Sequence, residues 1–426
     1  MRNFSVFLLC AFAFTAFCQV NSQSLELNSN SNANTNSNSN SNSQSISIPA
    51  VEETIKVEQE GSLKENKLQN KPATKNQLPE NQFLKKELQG KEMLEKSSDS
   101  QTKVSSSESA LQLVTSTFTL AKQMASSQRS QRSPTVDQQV QMDNLVQVLE
   151  KSSPESFEYH YFKFVAGNYS VALVEHLKKA ELLRPTNPDV HIQFVAYYWC
   201  MNEKRKALPY LEKLMGSGRL NWSILNYSKD LLRSVPSQGT LITHGMEDSY
   251  ACLYLQISEG IRTDVNVISL DLLQSEAVQK QLLVYGFNLP QNSAIDVAYL
   301  KEFCVQNNTR NIALSMTIPK EYLLPIQENL FVTGLVLEYK TDLSYQNSAR
   351  NEYLWNYEFI KLIIMDASNE KERQLTANYL PMLLILRNTY KLTNETEKLA
   401  LIEEVLTQVA VQSRKQKQIQ KMKSSD

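Results

Sequence analysis

The sequence predicts a mainly α chain with a small α/β domain, in which helical hairpins flank a short, mainly parallel sheet. Three observations carry this. Apolar and small residues recur at helical spacing between 154 and 235. Short apolar runs alternate with helical segments between 236 and 345, a rhythm that implies a sheet covered by helices. From 346 to 413 the apolar spacing is helical again, ahead of a basic tail at 414–426.

The chain opens with Arg2 and an uncharged run from Phe4 to Phe17. That run suits the apolar region of a secretory leader and falls short of the ~20 apolar residues of a spanning helix. Small residues follow, so cleavage is expected after Cys18 or Ser22, and residues 1–22 read as a signal peptide. A lipoprotein reading would place a lipid on Cys18, but Phe17 stands where a small residue belongs. The expectation is an exported protein, periplasmic or secreted, with no transmembrane span in the mature chain. Outside the leader only Cys200, Cys252 and Cys304 remain, and they read as buried apolar side chains rather than a disulfide framework.

Residues 23–104 read as disordered. An Asn/Ser tract has nothing to bury, and the Glu-, Lys- and Gln-rich linker after it has few aromatics. Residues 105–153 offer two helices. One carries Leu111, Val114, Phe118 and Leu120 on a face, and the other runs from Val136 to Lys151. The compact part is expected to begin near Ser153.

Between 154 and 235 the informative stretch is GNYSVALVEHLKKAELLRPTNPDV. Gly167, Ala172 and Ala180 let helices approach, Tyr169 and Leu177 fill the space between them, and Pro185 stops the helix. Asn187-Pro188-Asp189 starts the next one. This resembles the tetratricopeptide repeat, and about 35 residues on from Ala172 the pattern returns at Ala207, Tyr210, Leu211 and Leu214. First helices are expected at Phe157–Ala166 and Pro188–Met201, with Trp222–Val235 closing the stack. Such repeats offer a surface to a partner, and Tyr161, Tyr197, Tyr198 and Trp199 are the candidates to line it. The competing reading packs these rings between helices.

Strands are expected at 240–245, 265–270, 311–316 and 330–339, with helices at 247–259, 275–284 and 297–307 between them. Gly260 suits a helix carboxyl cap. The run GTLITHGMEDSYACLYLQISEGIRTDVNVISLDLL is similar to the soluble carboxyl-terminal region of bacterial protein O-mannosyltransferase-like membrane proteins, and to related exported tetratricopeptide-repeat proteins. The likeness rests on Gly245, Asp248, Leu253-Tyr254-Leu255-Gln256 and Arg262-Thr263-Asp264-Val265. Met246-Glu247 and Thr263 depart from the pattern, and the multi-span catalytic part has no counterpart. The resemblance covers roughly 155–340, with a weaker echo at 350–410. It implies the fold and a bacterial envelope setting, and it does not imply transferase activity.

His244, Glu247, Asp248, Asp264 and Asp271 are expected near the carboxyl ends of two strands, where open α/β sheets bind ligands. A histidine among carboxylates suits general acid–base work, which makes His244, Asp248 and Asp264 the catalytic candidates. The structural alternative caps helices with Asp248 and Asp271 and pairs Asp264 with Arg262. The C-terminal region predicts a helix at 349–365, then a helical hairpin of 370–391 and 395–413 turning at Thr393-Asn394, with a solvated basic end.

Several classes drop out on composition. With 10 glycines there is no phosphate-cradling loop, so no cofactor is expected. With 4 histidines and no Cys-x-x-Cys, no metal is expected. A net charge of -1 argues against nucleic acid. Sequons at Asn168, Asn221, Asn226, Asn307 and Asn394 matter only in a eukaryotic secretory pathway. The expectation is an exported, non-enzymatic interaction or scaffold protein of the bacterial cell envelope, whose partner is another envelope or secreted protein. The alternative is an envelope enzyme or carbohydrate-binding protein that meets a glycan at the acidic edge of the α/β domain.

Overall fold

The computed structural model describes residues 102–127 and 131–424, except Ser293 and Asp366. The expected leader and the expected disordered tract lie outside the described residues. The first helices are α1 (Thr102–Ser127), α2 (Val136–Ser152), α3 (Phe157–Ala166), α4 (Val174–Leu183), α5 (Pro188–Cys200), α6 (Leu208–Gly216) and α7 (Trp222–Ser234).

Their starts follow from side-chain caps that satisfy otherwise orphaned N–H groups. Thr135 and Gln138 form a reciprocal capping box on α2. Ser156 caps α3, Asn221 caps α7, and Asn187 caps α5 with Pro188 in its first turn. Between α3, α4 and α5 lie Phe164, Leu177, Ala180 and Phe194, and Phe194 stacks on Tyr210 of α6 with centroids 4.5 Å apart.

Two details differ from expectation. Ala172 is exposed and sits in a 3-10 turn, Val171–Leu173, so close approach falls to Gly167, whose missing side chain leaves room for Leu173. On α1, Phe118 is buried and stacks on Phe162 at 4.1 Å, but Leu120 is 42% exposed and Ala121 takes the inward place. That stacking ties the 105–153 region to α3, and the described residues from Ser107 onward belong to one compact unit.

The sheet has five strands: β1 (Thr240–Thr243), β2 (Asn266–Ser269), β3 (Ile312–Ser315), β4 (Leu330–Thr333) and β5 (Val336–Tyr339). Their order is β2-β1-β3-β5-β4. Helix α8 (Met246–Ser258) joins β1 to β2, and α9 (Glu276–Val284) and α10 (Val297–Gln306) lie between β2 and β3. Strand β1 runs parallel to β2 and β3, whereas β5 is antiparallel to β3 and β4. The sheet is therefore mixed, not mainly parallel. The run 330–339 is a hairpin, because Gly334 adopts φ +58° and turns the chain in two residues. Both faces are covered, which is why β1, β3, β4 and β5 are buried along their whole length and show no apolar–polar alternation.

The last helices are α11 (Ser348–Tyr353), α12 (Glu370–Thr376), α13 (Leu380–Leu392), α14 (Thr396–Gln412) and α15 (Gln416–Ser424). The expected 349–365 helix breaks after α11. A π-turn, Leu354–Glu358, follows, and Lys361 has φ +61°. The basic tail is not a solvated end. Ile419 and Met422 of α15 are buried, and Lys423 pairs with Glu403 of α14. The architecture is mainly α with a small α/β part.

Candidate functional site

The strand order 2-1-3 puts a topological switch point between the carboxyl ends of β1 and β3, where a doubly wound sheet normally opens a crevice. Here a buried carboxylate bridges the two strand exits. Asp248, three residues into α8, is fully buried. Its Oδ2 accepts the His244 N–H at 3.0 Å and the Thr317 hydroxyl at 2.5 Å. Ser315 and Thr317 share a hydroxyl contact of 2.9 Å, and Thr243 meets Ser249 at 2.8 Å. Gly245 turns the chain out of β1 with φ +86°, a conformation that suits a residue without Cβ. Asp248 thus pins the exits of β1 and β3 together. His244 is half-buried beside this knot.

Asp264 is not part of that edge. It precedes β2, at the amino ends of the parallel strands, because Thr240 pairs with Asn266. It is exposed, accepts from Arg262 at 2.8 and 3.0 Å, and accepts the Gln238 N–H at 2.9 Å. The Arg262 hydrogen bond lowers its pKa to about 2. An acid that strongly ionised is a poor proton donor near neutrality. Glu247 lies at the edge by position in α8.

Asp271 does follow β2, but its side chain does not cap the next turn. It binds Arg132 Nε at 2.6 Å instead. Lys122 on α1 senses both charges. Burial pushes its pKa down, Asp271 pulls it back up, and Arg132 lowers it further. At the β2 exit Asp271 is thus paired with the Arg132 guanidinium. Sequence reasoning missed Arg132 and Lys122, and Thr317 as well. Arg132 and Lys122 lie in segments with no strand pattern nearby, so only the polar Thr317 just past an apolar strand gave a local signal.

The ring candidates divide. Trp199 is buried at 4% exposure, with the Lys204 ammonium 5.2 Å from its ring centroid. Tyr161, Tyr197 and Tyr198 are half-buried; Tyr161 stacks on Phe157 at 5.4 Å and Tyr197 meets Tyr198 edge-on at 5.2 Å. A cleft between the end of α5, β2 and α9 is lined by Trp199, Asn202, Lys204, Ile268, Gln281 and Tyr285. Burial lowers the Lys204 pKa to about 8. Cys200, Cys252 and Cys304 are free thiols, all buried, and burial raises their pKa values. Among the described residues no group of three or more His, Cys, Asp or Glu side chains is placed to hold a metal. No described helix is long and apolar enough to cross a membrane.

Fold and edge together define a helix-covered α/β module in which Asp248 ties the exits of β1 and β3. Residues 224–423, from within α7 to the last helix, match the family model described as TMEM260-associated domain 2. That family is tied to an O-mannosyltransferase-like membrane protein, which agrees with the resemblance at the level of this link. The match begins later than the resemblance did and reaches further, through α15. No curated protein and no solved structure matches the chain.

Proposed function

We propose that the chain is an exported, non-enzymatic interaction protein of a cell envelope or secretory compartment. In this reading the α/β part is a folded support, and the tetratricopeptide-like helix pairs α3–α4 and α5–α6 face the partner. The observation that carries it is the engagement of every resolved candidate carboxylate. Asp248 is spent on Thr317 and His244, Asp264 on Arg262, and Asp271 on Arg132. Exposed apolar side chains at helix ends support it further: Leu182 is 82% exposed, Leu183 49% and Met201 40%. The TMEM260 named in the matched domain makes a membrane protein of that type the first partner to try.

The test uses the full chain, because α1 and α2 pack into the same unit as the sheet. Co-purification with that membrane protein in detergent is measured for wild type, for Leu182→Asp/Met201→Asp and for Asp248→Ala. The surface variant should lose the complex. Asp248→Ala should keep it while lowering stability. If Asp248→Ala instead abolishes glycan binding at unchanged stability, the enzyme or carbohydrate-binding reading replaces this one.

A further inference from the structure

Five sequons fall in the described residues, and the fold separates one of them from the rest. Asn307 is 2% exposed, and its Nδ2 donates to the carbonyls of Asn288 and Phe303, both at 2.8 Å. Asn221 caps α7 through Oδ1 while its Nδ2 donates to Glu372 at 2.9 Å. Asn168 donates to Gln139 at 2.6 Å. Asn226 is half-buried within α7, and the Tyr227 and Ser228 that complete its sequon are fully buried. A glycan on Asn168, Asn221 or Asn307 would evict one of these hydrogen bonds, and one on Asn226 would have to leave a half-buried place inside a helix whose next two residues are fully buried.

Asn394 differs from all four in its exposure. It forms the tip of the turn between α13 and α14, with φ +58°. Asn394 and the Thr396 of its sequon are both exposed, and so are Lys391, Leu392 and Thr393 before them. Among the described residues neither the Asn394 carboxamide nor the Thr396 hydroxyl makes a hydrogen bond. The turn is held by other groups: Glu395 N–H donates to the Tyr390 carbonyl at 2.9 Å, and the Thr393 hydroxyl to Glu395 at 2.8 Å. A large substituent on Asn394 Nδ2 would therefore project into solvent and disturb nothing.

We infer that, in a eukaryotic secretory compartment, this chain carries a single N-linked glycan among the described residues, on Asn394. Transfer can precede folding, so the folded state acts as a filter on which glycans are tolerated. The donor is an oligosaccharide on a lipid pyrophosphate. Asn394 Nδ2 forms a bond to the anomeric carbon, the carbon–oxygen bond to pyrophosphate breaks, and one amide proton leaves to a base, with no oxidation or reduction. The inference rests on the export reading above.

The full chain is expressed with its own leader in a eukaryotic secretory host, and fractionation is followed by mass analysis before and after amidase removal of N-glycans. One glycan is expected on the wild type and on Asn307→Gln, and none on Asn394→Gln or Thr396→Ala. Lumenal or secreted protein without a glycan overturns this inference and leaves export standing. Protein outside the secretory compartment overturns both. A glycan that persists in Asn394→Gln places the modification elsewhere and overturns the assignment.

Discussion

Tyr379 donates its hydroxyl to Asp230 at 2.7 Å, joining residues 149 positions apart in the interior. The same carboxylate accepts the N–H of Ile360 at 2.6 Å and of Lys361 at 3.0 Å. One side chain on α7 thus holds the left-handed backbone at Lys361 and the start of α13. Burial raises the Asp230 pKa, and the backbone and Tyr379 hydrogen bonds oppose that rise.

Replacing Asp230 by Ala leaves two N–H groups and a buried hydroxyl unsatisfied. The expected loss is at least ~3 kcal/mol, as each of the three unpaired groups costs about 1–3 kcal/mol. Asp230→Asn keeps an acceptor oxygen and should lose less. Urea unfolding of both variants measures the difference. A loss under ~1 kcal/mol for the alanine variant would show that the 359–361 segment is held otherwise.

Asp248 and Thr317 should be energetically coupled. A double-mutant cycle with Asp248→Ala and Thr317→Val is expected to return an interaction energy of about 1–3 kcal/mol, because the Asp248 carboxylate is buried and in direct contact with the half-buried Thr317 hydroxyl. Additive losses would mean that this bond does not hold the two strand exits together.

Gly334→Ala tests the hairpin. A Cβ there would lie 2.8 Å from Phe359 Cζ and 2.9 Å from Ser234 Cβ, and the φ of +58° disfavours an L side chain. Steric overlap and backbone strain together should cost on the order of 2 kcal/mol or more. Thermal unfolding reads this as a lowered Tm.

The His160–His176 pair predicts a pH dependence. The two Nδ1 atoms are 2.9 Å apart between α3 and α4. Burial lowers both pKa values below 6.5; the neighbouring charges of His176 and Lys179 add to this at His160, and those of Lys163 and Lys179 at His176. The unfolded chain then takes up protons first as pH falls. Stability present above pH 6.5 should be lost below it, and the His160→Gln/His176→Gln variant should lose that slope in urea melts between pH 7.5 and 5.

Asp264 gives a second, more acidic window. Its pKa of about 2 lies below the ordinary 3.8, so its contribution is present above pH 3.8 and disappears as pH falls toward 2. A carboxyl titration followed by NMR should find its midpoint near 2 in wild type and close to 3.8 in Arg262→Met.

The elements set by short-range interactions were legible in the sequence. Phe157–Ala166 is a helix in both readings, since Ser156 caps it and its apolar spacing lies within ten residues. Strands β1, β2 and β3 fall inside the expected runs for the same reason. The candidate edge was legible only in part, because Asp248 and Asp271 stand where their strands end but their partners are remote. Thr317 is 69 positions from Asp248, and Arg132 is 139 from Asp271. A cap or a strand run is decided by neighbours in the chain, whereas a carboxylate's partner is decided by which distant groups folding brings within ~3 Å. The sequence by itself determined the locally capped helices and the three parallel strands. Only the tertiary structure decided that the 330–339 run folds back as a hairpin, that Asp264 sits at the opposite end of the sheet, that Trp199 is buried, and that among the described residues one sequon has both its Asn and its Thr exposed.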